Sequence, residues 1–142
     1  MDFRVVVKGL VSTESVLTIE DFHQCKTQVD VQKIAPTFSG TGVPFSEIAE
    51  KIGPKPEATH VIFHAADEFA ATIPISELQE AIFLYKSNGE PLKKGFPVRL
   101  IVPDGSSDCL NVKSVVKVEF VAADPADPAS FGFKNLVGET EL

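Results

Sequence analysis

Asn88-Gly89-Glu90-Pro91-Leu92-Lys93-Lys94-Gly95-Phe96-Pro97-Val98-Arg99-Leu100-Ile101-Val102-Pro103 reads as a tight turn, a basic loop and a strand. Asn-Gly tolerates the left-handed backbone that a short hairpin needs, so residues 88–89 mark a reversal. Residues 98–102 are mostly β-branched or apolar and stop at Pro103, as a buried strand does. Upstream of the turn, residues 81–86 form an apolar run that suits either a strand or the end of a buried helix. Downstream, residues 112–122 make the last strand. Strand signals also fill residues 59–64 and 69–75. Residues 28–32 alternate polar and apolar, with Val29 and Val31 on one face. Residues 3–8 open the chain as a strand that Gly9 ends. A short extended piece follows at residues 15–18, where Thr18 could cap a helical turn. Residues 34–43 are rich in Pro, Ser, Gly and Thr, without periodicity, and read as a loop.

Helix signals are fewer. Phe45, Ile48, Ala49 and Ile52 fall at i, i+3, i+4 and i+7, one apolar stripe. Pro44 suits the first turn, Gly53 the position past the end, and Pro54 forbids continuation. Ser76 followed by Gln79 has the spacing of a capping box for a short helix. Short helices among many strands give an α+β domain over residues 1–122. Residues 123–129 repeat Ala-Asp-Pro and cannot be helix or inner strand. They read as an extended linker to a tail that reaches Leu142, in which Phe131, Phe133, Leu136 and Val137 could dock back on the domain.

The chain has 142 residues, ordinary globular apolar and charged fractions, and no apolar run of membrane-spanning length. Its first residues lead straight into a strand without a signal peptide, which gives an expectation of a cytoplasmic protein. Cys25 and Cys109 are far apart and form no CxxC pair, so both are expected as free thiols. A net charge of −7 argues against general nucleic-acid binding. The charge is uneven, however. From Lys93 to Lys117 there are five basic residues (Lys93, Lys94, Arg99, Lys113, Lys117) against Asp104 and Asp108, a local +3 against −10 elsewhere. Such an island suits either a small anionic ligand or an ordinary solvated face.

Six segments resemble, in order, the sulfite-oxidase-type molybdopterin-binding domains. Residues 3–11 with 17–22 resemble the opening "V-x-G-x-V … L-T-L-E-D-L", and Gly42-Val43-Pro44-Phe45-Ser46-Glu47-Ile48 resembles "G-V-P-L-S-D-L-L". Asp67-Glu68-Phe69 with Ile73-Pro74-Ile75 is similar to "D-G-Y … L-P-L". Asn88–Leu92 and Gly95–Pro103 are similar to "N-G-x-P-L … H-G-x-P-V-R-L-V-V-P", and Asn111–Val115 stands where "x-V-K-W-L" is expected. The likeness covers residues 3–121. It implies a mixed β-sheet with short peripheral helices and an anionic molybdopterin whose phosphate is held by Arg99 and Lys113. Guanidinium and ammonium groups are good phosphate partners. Lys94 stands beside them, at the position of the family's His in "H-G-x-P-V-R".

The departures concern the metal. The family holds molybdenum through the cofactor's sulfurs and one cysteine thiolate, which follows the strand read at residues 28–32. That position falls at Lys33, give or take one residue, and residues 27–43 contain no cysteine. Cys25 lies about eight residues earlier, about 26 Å of extended chain. The "R-N-H" stretch of the family has no counterpart in these residues, the aromatic of "V-K-W" is Ser114, and the glycine of "D-G-Y" is Glu68. Molybdenum is therefore not expected here. The leading expectation is a degenerate molybdopterin-binding-domain homologue without oxo transfer. The alternatives are an active molybdenum oxidoreductase that draws its ligand from elsewhere, or a protein-interaction module reusing the fold.

Other constellations carry less. His60 and His64 share a strand face about 13 Å apart, too far for one metal, and read as half-exposed. His23 with Cys25 offers only two ligands. Ser39-Gly40-Thr41-Gly42 lacks the Gly-Lys-Ser/Thr ending of a phosphate loop.

Overall fold

A computed structural model describes residues 3–103, 110–122 and 132–134. An inner strand of its sheet explains the apolar run at 81–86. Strand β7 (Ile82–Ser87) buries both faces: Phe83 and Tyr85 enter the main core, while Ile82 and Leu84 enter a second cluster. A strand covered on both sides reads as a continuous hydrophobic stretch, which removes the helical alternative. Around β7 the other elements are β1 (Val5–Gly9), β2 (Ser15–Leu17), α1 (Ile19–His23), β3 (Val29–Asp30), β4 (Thr41–Pro44) and α2 (Phe45–Ile52). There follow β5 (His60–Ala65), β6 (Ala70–Pro74), β8 (Glu90–Pro91), β9 (Val98–Val102), β10 (Leu110–Val121) and β11 (Gly132–Lys134).

The strands form one mixed sheet in the order β11-β6-β5-β10-β9-β7-β4-β3. β1 joins β10 in parallel and β2 pairs with β1 antiparallel, while β8 returns on β7 through the Asn88-Gly89 turn. Both turn residues have positive φ, 54° and 80°, as the sequence required. β10 has different neighbours along its length. Residues 110–115 pair with β9, and residues 117–120 pair with β1. Between them Ser114 adopts φ 53° at a register shift.

The main core fills one face of the sheet and is rich in aromatic rings. Phe45 meets Phe63 at 5.6 Å and Phe83 at 5.5 Å between centroids, and Phe63 meets Phe83 at 6.1 Å, all edge to face. α2 supplies Phe45, Ile48 and Ile52 to this core and ends at Gly53 with φ 72°, the left-handed cap anticipated. The smaller cluster of Val31, Ala35, Ile82, Leu84, Leu92 and Ile101 lies on the other face.

Three local readings are corrected. Residues 28–32 are strand only at Val29–Asp30. The Asp30 carboxylate accepts from the Gln32 amide at 3.3 Å and turns the chain into a 3₁₀ turn at Val31–Lys33. Residues 34–43 are not all loop, because Gly42 and Val43 pair with Leu84 and Phe83 of β7. A Cβ at Gly42 would stand 2.6 Å from Ile82 Cγ2 and 2.7 Å from Phe83 O, so only glycine permits this approach. Ser76 caps nothing: the segment is a 3₁₀ turn, Ile75–Glu77, following Pro74, with no side-chain cap.

Of the C-terminal expectations, β11 pairs Phe133 with Ala71 of β6. The Ala-Asp-Pro stretch, Phe131, Leu136 and Val137 lie outside the described residues, as does Cys109. No helix among the described residues is long and apolar enough to cross a membrane.

The β5–β6 hairpin carries Glu68 at φ 74°. A non-glycine residue there costs about 1–2 kcal/mol, of which glycine's extra unfolded-state freedom returns about 0.5–1. Glu68→Gly is therefore expected to raise stability by about 0.5–1 kcal/mol, read as a higher denaturation midpoint with unchanged slope.

Candidate anion-binding cleft

Alternation along β9 sends Val98 and Leu100 into the main core and turns Arg99 toward the opposite face, in register with Leu84. There Arg99 lines a cleft of about 400 Å³. One wall is Thr37, Phe38 and Ser39, from the loop that follows the 3₁₀ turn. The other is Ser87 and Asn88 from the hairpin, with Glu90 to Lys94 beyond it. Gly95, at φ 86°, brings the chain round from Lys94 toward β9 and packs against Arg99.

The Arg99 guanidinium lies 4.9 Å from the centroid of the Phe38 ring, a cation–π contact. Its Nε is buried and has no hydrogen-bond partner among the described residues. Desolvation pushes the Arg99 pKa down, yet a guanidinium remains charged. A buried donor without a partner is costly, and an oxyanion in the cleft would satisfy it. Lys93 and Lys94 stand exposed in the same lining, with Glu90 its single acid.

The basic island of the sequence is divided in space. Lys93, Lys94 and Arg99 share the cleft. Lys113 lines a separate hollow with Asp67, Phe69 and Asn111, and Lys117 lines a third. The backbone of Lys113 is nevertheless close to Arg99, because Val112 pairs with Leu100 and Val115 with Val98, leaving residues 113–114 opposite Arg99.

Lys33, expected from the resemblance within one residue of the ligand position, ends the 3₁₀ turn with its side chain exposed. Cys25 is on the other side of the sheet. It belongs to the main core, whereas Val31 and Ala35, flanking Lys33, belong to the second cluster. Its Sγ donates to Asp21 O at 3.5 Å, and its carbonyl accepts from Gln28, whose Oε1 takes a 2.6 Å hydrogen bond from the buried Tyr85 hydroxyl. Burial, followed by the nearby Glu47 carboxylate, pushes the Cys25 thiol pKa up, away from thiolate. No group of three or more His, Cys, Asp or Glu among the described residues is placed to hold a metal.

His60 differs from expectation: it is 6% exposed, with Nδ1 2.8 Å from Thr59 Oγ1. His64 lies 3.0 Å from Glu119 across β5 and β10. The sequence reading missed Phe38 as a cleft residue, since a ring in an aperiodic loop carries no local signal. Thr37 carried no signal for the same reason, whereas Ser39 drew notice only as part of the Ser39-Gly40-Thr41-Gly42 stretch.

Residues 30–129 match the oxidoreductase molybdopterin binding domain family. The chain belongs to that family. This molybdopterin-binding domain is 32% identical over 108 residues to the Uncharacterized oxidoreductase YuiH of Bacillus subtilis (strain 168), covering 68% of this chain and 54% of the relative. Among solved structures, the sulfane dehydrogenase SoxCD from Paracoccus pantotrophus matches with a TM-score of 0.63 at 22% identity. That match covers 89% of this chain and 40% of the other. It establishes the sulfite-oxidase-like fold. The chain thus spans about half the length of these relatives.

The family's cofactor has two ends, and the residues fit them unequally. Its anionic end fits the cleft, where the buried Nε of Arg99 lacks a partner. If Lys33 stands at the ligand position, the metal end does not fit it, since an ammonium has no free lone pair.

Proposed function

We propose that this chain is a molybdopterin-binding domain homologue that holds an anionic, pterin-type ligand and does not carry out metal-centred oxo transfer. What supports this reading is that residues 27–43, where the resemblance puts the ligand at about Lys33, contain no cysteine, that Lys33 is exposed, and that Cys25 packs in the core on the opposite side of the sheet. A soft thiolate is replaced by a hard cation, which repels a metal centre. What remains suits binding. Arg99 presents a buried donor to an oxyanion, and Phe38 backs its guanidinium. Lys94 adds positive charge at the rim, and Lys113, if the ligand extends past the β9–β10 irregularity, would meet its far end.

Protein made in a host that synthesises the cofactor tests this reading. Elemental analysis is expected to find molybdenum far below stoichiometric, and Lys33→Cys alone is expected to give no sulfoxide reduction with an artificial electron donor. The new thiolate would meet a cradle in which Lys94 and Ser114 replace the family's His and aromatic. Any hydrogen bond to the charged cofactor that such a replacement removes costs about 1.5–3 kcal/mol. Stoichiometric molybdenum in the unmodified protein would establish the active-oxidoreductase reading instead.

A further inference from the structure

A second hollow, of about 770 Å³, opens where β1, β10 and β5 run side by side. It is lined by Arg4, Val6, His64, Glu68, Val116 and Lys117, together with Ala65. Strand alternation builds it. β5 turns Phe63 and Ala65 to the core and β10 turns Val118 and Phe120 there, so His64 and Lys117 face outward. Lys117 is the registered partner of both Val6 on β1 and His64 on β5.

Formal charge around the hollow balances, Arg4 and Lys117 against Glu68 and Glu119, but the opposite charges are not matched as pairs. Among the described residues neither Arg4 nor Lys117 makes an ion pair. Glu119 is engaged by His64, Nε2 to Oε1 at 3.0 Å. Glu68 is the remaining acid, on the hairpin whose left-handed backbone disfavours any residue but glycine. Two cations without an ion pair, in a protein of net charge −7, leave two cationic donors around one space, beside an imidazole that holds Glu119 away from them. Lys117 and His64 stand on paired strands, which fixes their spacing before any ligand arrives.

We propose that this hollow is a second anion site, separate from the Arg99 cleft, taking a small tetrahedral oxyanion such as phosphate, free or as the head of a phosphomonoester. Arg4 and Lys117 supply its charge-assisted hydrogen bonds. His64, its Nε2 held by Glu119, forms the wall between them. A tetrahedral ion presents oxygens out of one plane to donors on different strands, whereas a carboxylate's acceptor sites lie in one plane. Glu68 opposes binding at the rim and so sets its strength.

The test is an NMR titration of the full chain at low ionic strength with inorganic phosphate, and separately with acetate and with a phosphomonoester. Saturable shifts are expected at the His64 ring and at the Val6 and Lys117 amides, with phosphate and the phosphomonoester binding more tightly than acetate. Lys117→Gln, and independently Arg4→Gln, should weaken phosphate about tenfold or more. Glu68→Gln should tighten it about two- to fivefold. Arg99→Ala should leave these shifts unchanged, so a failure of the cleft and a failure of this site are told apart. Absence of saturable shifts at His64, persistence of full affinity in both Lys117→Gln and Arg4→Gln, or acetate binding as tightly as phosphate would each overturn the proposal.

Discussion

Phe83→Ala should destabilise the domain by about 3–5 kcal/mol, the range for removing a fully buried aromatic ring. Phe83 has 0% exposure and makes edge-to-face contacts with Phe22, Phe45 and Phe63. It links α1, α2 and β5 through one ring. Truncation forfeits transfer free energy and leaves a cavity whose walls are strands that cannot collapse freely. Chemical denaturation followed by fluorescence or circular dichroism measures it. A loss below about 1 kcal/mol would mean that the neighbouring rings refill the space. Leu84, the next residue, lines the cleft. The same substitution should therefore loosen the floor of the cleft even where the protein still folds.

Arg99→Ala should weaken a phosphate monoester in the cleft by about 10- to 150-fold, from about 1.5–3 kcal/mol for a charge-assisted contact. Lys51→Ala, an exposed change on α2 far from the cleft lining, should have little effect. Stability should respond far less than it does to Phe83→Ala. The substitution removes a cation–π contact with Phe38 but also removes a buried nitrogen that has no protein partner among the described residues. These opposing terms predict a small net change in unfolding free energy beside a large change in affinity. Isothermal titration of the two variants separates them. Equal affinities for Arg99→Ala and Lys51→Ala would remove Arg99 from any binding role.

The elements legible in the sequence are those whose cause is local. α2 carries its stripe, its proline entry and its glycine exit within ten residues, and β9 is a β-branched run closed by Pro103. β4 was not legible, because Gly42, Val43 and Pro44 become a strand only through β7 beside them. The misread end of β3 has a side-chain cause: the Asp30 carboxylate competes for the backbone and wins over alternation. Arg99 and Lys94 could be singled out from the charge island and the family resemblance. Lys113 shows the limit of that signal, because the left-handed Ser114 and the register shift break the alternation just where the island continues. His60 was assigned to a half-exposed face from its strand period, which states a direction but not what lies over it.

The change of partner along β10 also divides its backbone amides into two exchange classes. Residues 117–120 lie between β1 and β5, with paired neighbours on both edges. Residues 110–112 are paired with β9 alone among the described strands. Native-state deuterium uptake should therefore be slow for the second half of the strand, at the rate of global opening. It should be faster for the first half, which opens by local separation from β9. One covalent strand would behave as two pieces with different lifetimes, meeting at Ser114.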